Sequence, residues 1–258
     1  MAQKAFFFDI DGTLYQNKFH EVSPKTIWAL RRLLEQDNPV YLVSSRSLHE
    51  MDHLPEEFSS MLFTGLVLEG GALVLDERRN PVSSHILNEQ DVNRVSEFCQ
   101  KNNLTWRYST LEGNYFAVPA PMEIHRNMFN LYLCAPEYKP YEGEEVYNIL
   151  IWTADPKLHK QASELFKDFS VVEYEGCLEL RNPDTSKEAE VGKICRQNRY
   201  EKSIAFGDGA NDAGMLRFAD LGVAVGNAYE PAKEAADVIC GSIDEDGVAD
   251  YLESRHWI

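Results

Sequence analysis

Basic residues are in short supply. Lysine and arginine together number 25 against 42 aspartates and glutamates, a formal net charge of -17 over 258 residues. Such a surface repels nucleic-acid backbones and anionic headgroups, so neither nucleic acid nor a membrane is an expected partner. Were the substrate itself an anion, local cations would have to overcome this field, which a divalent metal would do well. Cysteine is sparse as well. Cys99, Cys134, Cys177, Cys195 and Cys240 are scattered, odd in number and form no C-x-x-C pair. That spacing gives no reason to expect a disulfide framework or a zinc site; it suits small buried thiols in a reducing cytosol. Uncharged runs long enough to cross a bilayer are missing, and the apolar run 5–8 is too short for a signal-peptide core. The expectation is a cytoplasmic protein. There are no internal repeats and no low-complexity segments.

What is present is ordinary globular composition, 44% hydrophobic and 26% charged, at a length that permits one large domain or two smaller ones. Short continuous apolar runs at 5–8, 40–43, 66–68, 204–206, 221–225 and 238–240 suit strands buried on both faces, as in a parallel sheet. Helical patterns lie between several of them. Ser23-Pro24 starts one, with Ile27, Leu30, Leu33 and Leu34 on one face. Ser47 and Glu50 read as a capping box for the next, and Thr185 with Glu188 as another, leading into Val191, Ile194 and Cys195. Alternation of strand and helix predicts a doubly wound, Rossmann-like α/β sheet.

The middle of the chain breaks that rhythm. A helix is expected from about Asn88, then strands at 105–108, 115–118, 128–134 and 147–152. Asp155-Pro156 opens a second helix, and strands follow at 171–174 and 177–181. This reads as an α+β block, 81–181, inserted into a core made of 1–80 and 182–258.

Four groups of residues carry chemistry. Asp9-Ile10-Asp11-Gly12-Thr13 follows the first apolar strand directly. Ligands collect beyond the carboxyl ends of parallel strands, and two carboxylates put there by a buried strand are costly unless they meet a cation or a reaction. Gly207-Asp208-Gly209-Ala210-Asn211-Asp212 repeats the arrangement after 204–206, where Asp208 and Asp212 could face a hard, oxygen-seeking cation. Asp212 also reads as a helix cap. Ser44 follows the strand 40–43 and could hold a phosphate oxygen, although alone it also reads as a turn serine. Lys187 sits in the first turn of a helix, where the dipole disfavours a cation, which would suit a partner anion, although alone it reads as a solvated surface lysine.

The order Asp-x-Asp, Ser, Lys, Gly-Asp-Gly-x-Asn-Asp resembles the haloacid dehalogenase superfamily. Val225-Gly226-Asn227-Ala228, Lys233 to Val238 and Glu245-Asp246-Gly247-Val248 extend the resemblance to its Cof-type branch, which contains many sugar-phosphate phosphatases. The core parts carry the match, and 81–181 stands where that branch has a large α+β cap. Three departures are visible: Ser44-Ser45-Arg46 for Thr-Gly-Arg, Gly70-Gly71-Ala72 for Asn-Gly-Ala, and Asp184 and Glu188 for the glycines flanking Lys187.

The resemblance implies a Mg²⁺-dependent phosphatase of small phosphorylated metabolites, with sugar phosphates as the favoured class. Asp9 would be the nucleophile and Asp11 the general acid and base. Asp9, the backbone carbonyl of Asp11, and Asp208 would bind Mg²⁺, with Asp212 supporting them. Ser44, Lys187 and Asn211 would hold the phosphoryl group. The block 81–181 would be a mobile cap closing over Asp9 and choosing the substrate, with Tyr115, Glu123, His125 and Arg126 as candidate contacts. Two rivals are a phosphomutase of the same superfamily and a phosphometabolite-binding protein without turnover. The second should have lost a nucleophile or metal ligand, yet Asp9, Asp11 and Asp208 are all present.

Overall fold

The structure is a computed structural model and describes residues 4–258. The chain divides into two compact units. The first comprises the chain up to Ser45, Leu54–Val82 and Ser186–Ile258; the second comprises Arg46–His53 and Ser83–Thr185. Arg46–His53 thus groups with the second unit, although it lies outside 81–181.

An eight-stranded sheet organises the first unit. Its order is Val238–Ile239, Leu221–Ala224, Lys202–Gly207, Lys4–Phe8, Val40–Val43, Gly65–Leu68, Leu73–Asp76 and Pro81–Ser84. The first six strands run parallel, and Leu73–Asp76 returns antiparallel to Gly65–Leu68. The continuous apolar runs are the cause: Phe6, Phe7 and Phe8 are fully buried, as are Val40, Leu42 and Val43. Each such side chain contributes about 1.5–3 kcal/mol by leaving water. The helix Pro24–Glu35 starts where Ser23 Oγ accepts from the Thr26 amide at 3.0 Å, and it buries Ile27, Leu30 and Leu33, with Leu34 half-buried. The helix Lys187–Asn198 begins one residue later than the expected box. Ser186, not Thr185, is the cap, and its Oγ accepts from the Ala189 amide at 3.0 Å. Lys187 therefore occupies the first helical position.

The second unit has a six-stranded sheet in the order Ser170–Tyr174, Cys177–Arg181, Asn148–Trp152, Trp106–Ser109, Asn114–Phe116 and Glu137–Tyr138. All pairs are antiparallel except the last. Alternate residues separate its faces. Trp106, Tyr108, Ile149, Ile151, Leu178 and Leu180 join Val92, Val95 and Phe98 of the helix Glu89–Asn102 and Ala162 of the helix Pro156–Leu165 in one apolar cluster. Arg107, Asn148, Glu179 and Arg181 occupy the opposite alternation, also buried.

One expected strand is a helix. Residues 128–134 belong to Met122–Tyr132 and the turn after it. Ile124, Met128 and Tyr132 follow the four-residue spacing of one helix face, and Met128 is buried. Met122, Phe129 and Leu131 stay exposed, so apolar residues run around the helix and blur its period. Leu133 ends it in the left-handed region, at φ 57°.

Candidate active site

The parallel register Phe8↔Phe206 brings the carboxyl ends of Lys4–Phe8 and Lys202–Gly207 side by side. Asp9 and Asp208 leave those ends as neighbours, and the Asp9 amide donates to the Phe206 carbonyl at 3.0 Å. On the other side Phe8 pairs with Leu42, which sets Ser44 just beyond the next strand. Gly12, at φ 83°, turns the chain away; a Cβ there would overlap Asp208 Oδ2. A side chain would occupy the space of the carboxylate, so the position requires glycine.

Lys187 joins the motifs. Its Nζ donates to Asp9 Oδ1 at 2.6 Å and to Asp212 Oδ1 at 2.7 Å, with all three residues buried. Asp212 Oδ2 accepts from the Asp208 and Gly209 amides at 3.1 and 2.9 Å, closing the loop before the helix Ala213–Phe218. Burial raises the Asp9 carboxyl well above the usual range, with Asp212 adding to the rise and Lys187 opposing it. Asp208 is pushed up to about 7, first by burial and then by Asp212. Burial alone would lower Lys187, but Asp212 and Asp9 outweigh it and hold the ammonium charged.

Asp9, Asp208 and Asp212 each offer an oxygen within 4.8 Å of the others. Three carboxylates against one ammonium leave two negative charges over, the charge of one divalent ion. Hard oxygen donors with that charge fit Mg²⁺. Both oxygens of Asp212 are already engaged, one by Lys187 and one by amides, which suits it to orienting the cluster. The Asp11 carboxylate stands outside the cluster and accepts from Asn17 Nδ2 at 2.9 Å.

Ser44 is buried; its amide donates to the Val67 carbonyl at 2.8 Å, and its own carbonyl accepts from the Gly70 amide at 2.9 Å. Ser45 stays out of the left-handed region, so losing glycine there causes no strain. Its Oγ accepts from Asn211 Nδ2 at 3.2 Å, which joins the second motif to the fourth. Gly71, at φ 109°, packs so closely that a Cβ would meet the Ser186 carbonyl oxygen at 2.7 Å, beside the cap of the Lys187 helix. The exchange of Asn for Gly70 leaves that approach intact.

Ser45, Thr13, Asn17 and Asn227 support the site without having been singled out as site residues. Thr13 Oγ1 donates to Asp208 Oδ1 at 3.4 Å, and Asn227 Nδ2 to the Gly12 carbonyl at 2.8 Å. Thr13, Ser45 and Asn227 stand within the Asp9–Thr13, Ser44-Ser45-Arg46 and Gly226-Asn227-Ala228 patterns, whereas Asn17 carried no sequence signal. The four specificity candidates lie in the second unit. Tyr115, in the strand Asn114–Phe116, packs against the apolar cluster, its ring 5.6 Å from that of Tyr108 and 4.8 Å from Lys139 Nζ. Glu123, His125 and Arg126 are on the helix Met122–Tyr132, where Glu123 and Arg126 are exposed and the His125 ring is 4.8 Å from Phe116.

An α/β core with paired aspartates, a buried lysine and an acidic loop at the carboxyl ends of parallel strands defines a class of hydrolase. The profile of haloacid dehalogenase-like hydrolases matches residues 6–252, and the chain belongs to that family. It is 26% identical over 263 residues to YcsE of Bacillus subtilis, a 5-amino-6-(5-phospho-D-ribitylamino)uracil phosphatase, covering 99% of this chain and 96% of YcsE. It is 28% identical over 267 residues to the HMP-PP phosphatase of Serratia proteamaculans, covering 97% and 94% of the two chains. The fold matches that of BT4131, a subclass IIB sugar phosphatase, with a TM-score of 0.85 at 22% identity over 99% of this chain and all of that one. Among the described residues, no helix is long and apolar enough to cross a membrane.

Proposed function

We propose that the protein is a Mg²⁺-dependent phosphatase that hydrolyses small phosphorylated metabolites, sugar phosphates among them, through a phosphoryl group carried on Asp9. The observation that carries this reading is the buried contact of Lys187 with Asp9 and Asp212 beside Asp208, at the ends of adjacent parallel strands. Full-length similarity to phosphatases of two different phosphorylated metabolites supports the reaction class.

Asp9 and Asp208 would hold Mg²⁺ with the Asp11 carbonyl, and Asp212 would keep them in place. Bound there, the ion supplies positive charge that offsets repulsion between a carboxylate nucleophile and a phosphate dianion. An Asp9 oxygen forms a bond to phosphorus as the bond from phosphorus to the ester oxygen breaks. That oxygen leaves with the electron pair and takes a proton from Asp11, whose carboxyl is steadied by Asn17. Asp11 then accepts a proton from water as the water oxygen attacks the same phosphorus, freeing inorganic phosphate and restoring Asp9. Lys187, Ser44 and Asn211 balance the charge spread over the phosphoryl oxygens.

The test uses a ³²P-labelled sugar phosphate with Mg²⁺. Label should appear on the protein after acid quench, be absent in Asp9→Asn, and finish as inorganic phosphate. Label that finishes instead at a second position of a sugar bisphosphate would identify a mutase, and turnover without any protein-bound label would exclude Asp9 as the carrier. Substrate choice is assigned to the inserted unit because it interrupts the chain between Ser44 and Lys187. Alanine at Glu123, His125 or Arg126 should reorder kcat/KM among sugar phosphates while leaving hydrolysis of acetyl phosphate within about threefold, less than 1 kcal/mol.

A further inference from the structure

We propose that His49, His53 and Cys134 form a second metal site, one that takes a thiophilic cation of the Zn²⁺ class. His49 lies in the short helix Leu48–Met51 and His53 in the turn that follows it. Their rings meet edge to face, with centroids 5.2 Å apart. Cys134 comes from a distant part of the chain, just after the left-handed Leu133 that ends the helix Met122–Tyr132. One ligand atom from each residue lies within 4.8 Å of the other two. Zn–N bonds of about 2.0 Å and a Zn–S bond of about 2.3 Å imply tetrahedral edges of roughly 3.3–3.7 Å, within reach by rotamer adjustment.

The donor set decides the metal. Two imidazoles and a thiol suit Zn²⁺ and its neighbours, whereas Mg²⁺ seeks hard oxygens. Among the described residues, no hydrogen bond engages either imidazole or donates to the Cys134 sulfur, so the ligand atoms are not committed elsewhere. All three ligands belong to the second unit, and the aspartate cluster belongs to the first. Three protein donors leave one tetrahedral position for solvent or a further ligand.

The segments bearing these donors are held together independently of any metal. Ser47 and Glu50 close a reciprocal capping box around Leu48–Met51. Glu50 Oε1 accepts from Arg107 Nη2 at 2.7 Å and from Asn114 Nδ2 at 2.8 Å, all buried. Arg46 stacks its guanidinium 5.0 Å from the ring centroid of Tyr132, two residues before Cys134. The buried network therefore fixes the histidine segment to the sheet and ties it to the end of the cysteine helix. Such a framework pre-organises ligands.

Cobalt tests the proposal, because a thiolate ligand gives Co²⁺ a near-ultraviolet charge-transfer band that oxygen ligands do not. The full-length protein, stripped with chelator and returned to excess Mg²⁺, should bind one equivalent of Co²⁺ with that band, and Zn²⁺ should abolish it. Asp9→Asn should retain the band. Cys134→Ser should lose it, and both Cys134→Ser and the half-buried His53→Gln should weaken Zn²⁺ binding by more than about tenfold, the least that loss of even an outer partner causes. Circular dichroism identifies a variant that has failed to fold, in which case the other one decides. Absence of the band in the wild type, or an undiminished band in folded Cys134→Ser or undiminished Zn²⁺ affinity in folded His53→Gln, would overturn the site. None of these readouts requires catalysis, so failure here leaves the phosphatase reading standing.

Discussion

Lys187 touches two carboxylates at once, and that contact gives the site its character. A buried cation is tolerable only with partners, and removing one side of such a group strands the other. Asp9→Asn is the informative exception. Burial raises the Asp9 carboxyl above its ordinary range, so a neutral amide of nearly the same shape escapes the desolvation cost that the carboxylate bears. The metal-free variant is expected to match or exceed wild-type stability by up to about 1 kcal/mol, while turnover falls by far more than tenfold. Urea unfolding and a phosphate-release assay check both halves; residual turnover within tenfold of wild type would remove Asp9 from the reaction. Asp11 has a different signature. Asp11→Asn should slow hydrolysis of sugar phosphates more than nitrophenyl phosphate, since a good leaving group needs little protonation. Equal losses on the two substrates would deny Asp11 the role of general acid.

At the scale of elements, the short helix Leu48–Met51 is too small to be stable by its own hydrogen bonds. Its capping box and the Glu50–Arg107 pair supply what length cannot. Glu50→Ala should therefore destabilise the protein by about 3 kcal/mol or more, because Arg107 would remain buried without this carboxylate. Equilibrium unfolding measures this, and a loss under about 1 kcal/mol would show that Arg107 is well served by its other contacts. The capping box was legible because its signal is four residues long. The partner of Glu50 was not, since Arg107 is 57 positions away. The helix Met122–Tyr132 was misread for a related reason: exposed Phe129 and Leu131 give a local pattern that suits a strand equally well.

For the whole molecule, the crowding of carboxylates couples stability to pH and to metal. Asp9 and Asp208 are held above their unfolded values, Asp208 at about 7. Their contribution is complete below the unfolded carboxyl value of about 4 and is lost as pH rises through the folded values. Between about pH 5 and 8 the metal-free wild type should lose melting temperature relative to Asp208→Asn, and the upward shift produced by Mg²⁺ should grow over the same range. Thermal melts with and without chelator test this; a Mg²⁺ shift that does not change with pH would refute the coupling. The formal charge of -17 acts over the same molecule, so added salt should lower KM for a doubly charged phosphate ester by screening.

The sequence by itself determined the core strands, the helix starts at Ser23 and Asn88, and the acidic pairs at strand ends. Each of those signals is local: a run of buried residues, a cap, a glycine beside aspartates. Resemblance added roles for Ser44 and Lys187, which alone read as a turn serine and a surface lysine. Only the tertiary structure decided that Lys187 spans Asp9 and Asp212, that Ser45 receives Asn211, and that Asp11 rests on Asn17. It also drew Cys134 to His49 and His53, although the cysteine spacing had argued against zinc. The reason is physical. Backbone propensity and burial pattern act over a few residues, whereas the direction of a side chain and the company it keeps depend on which strands become neighbours.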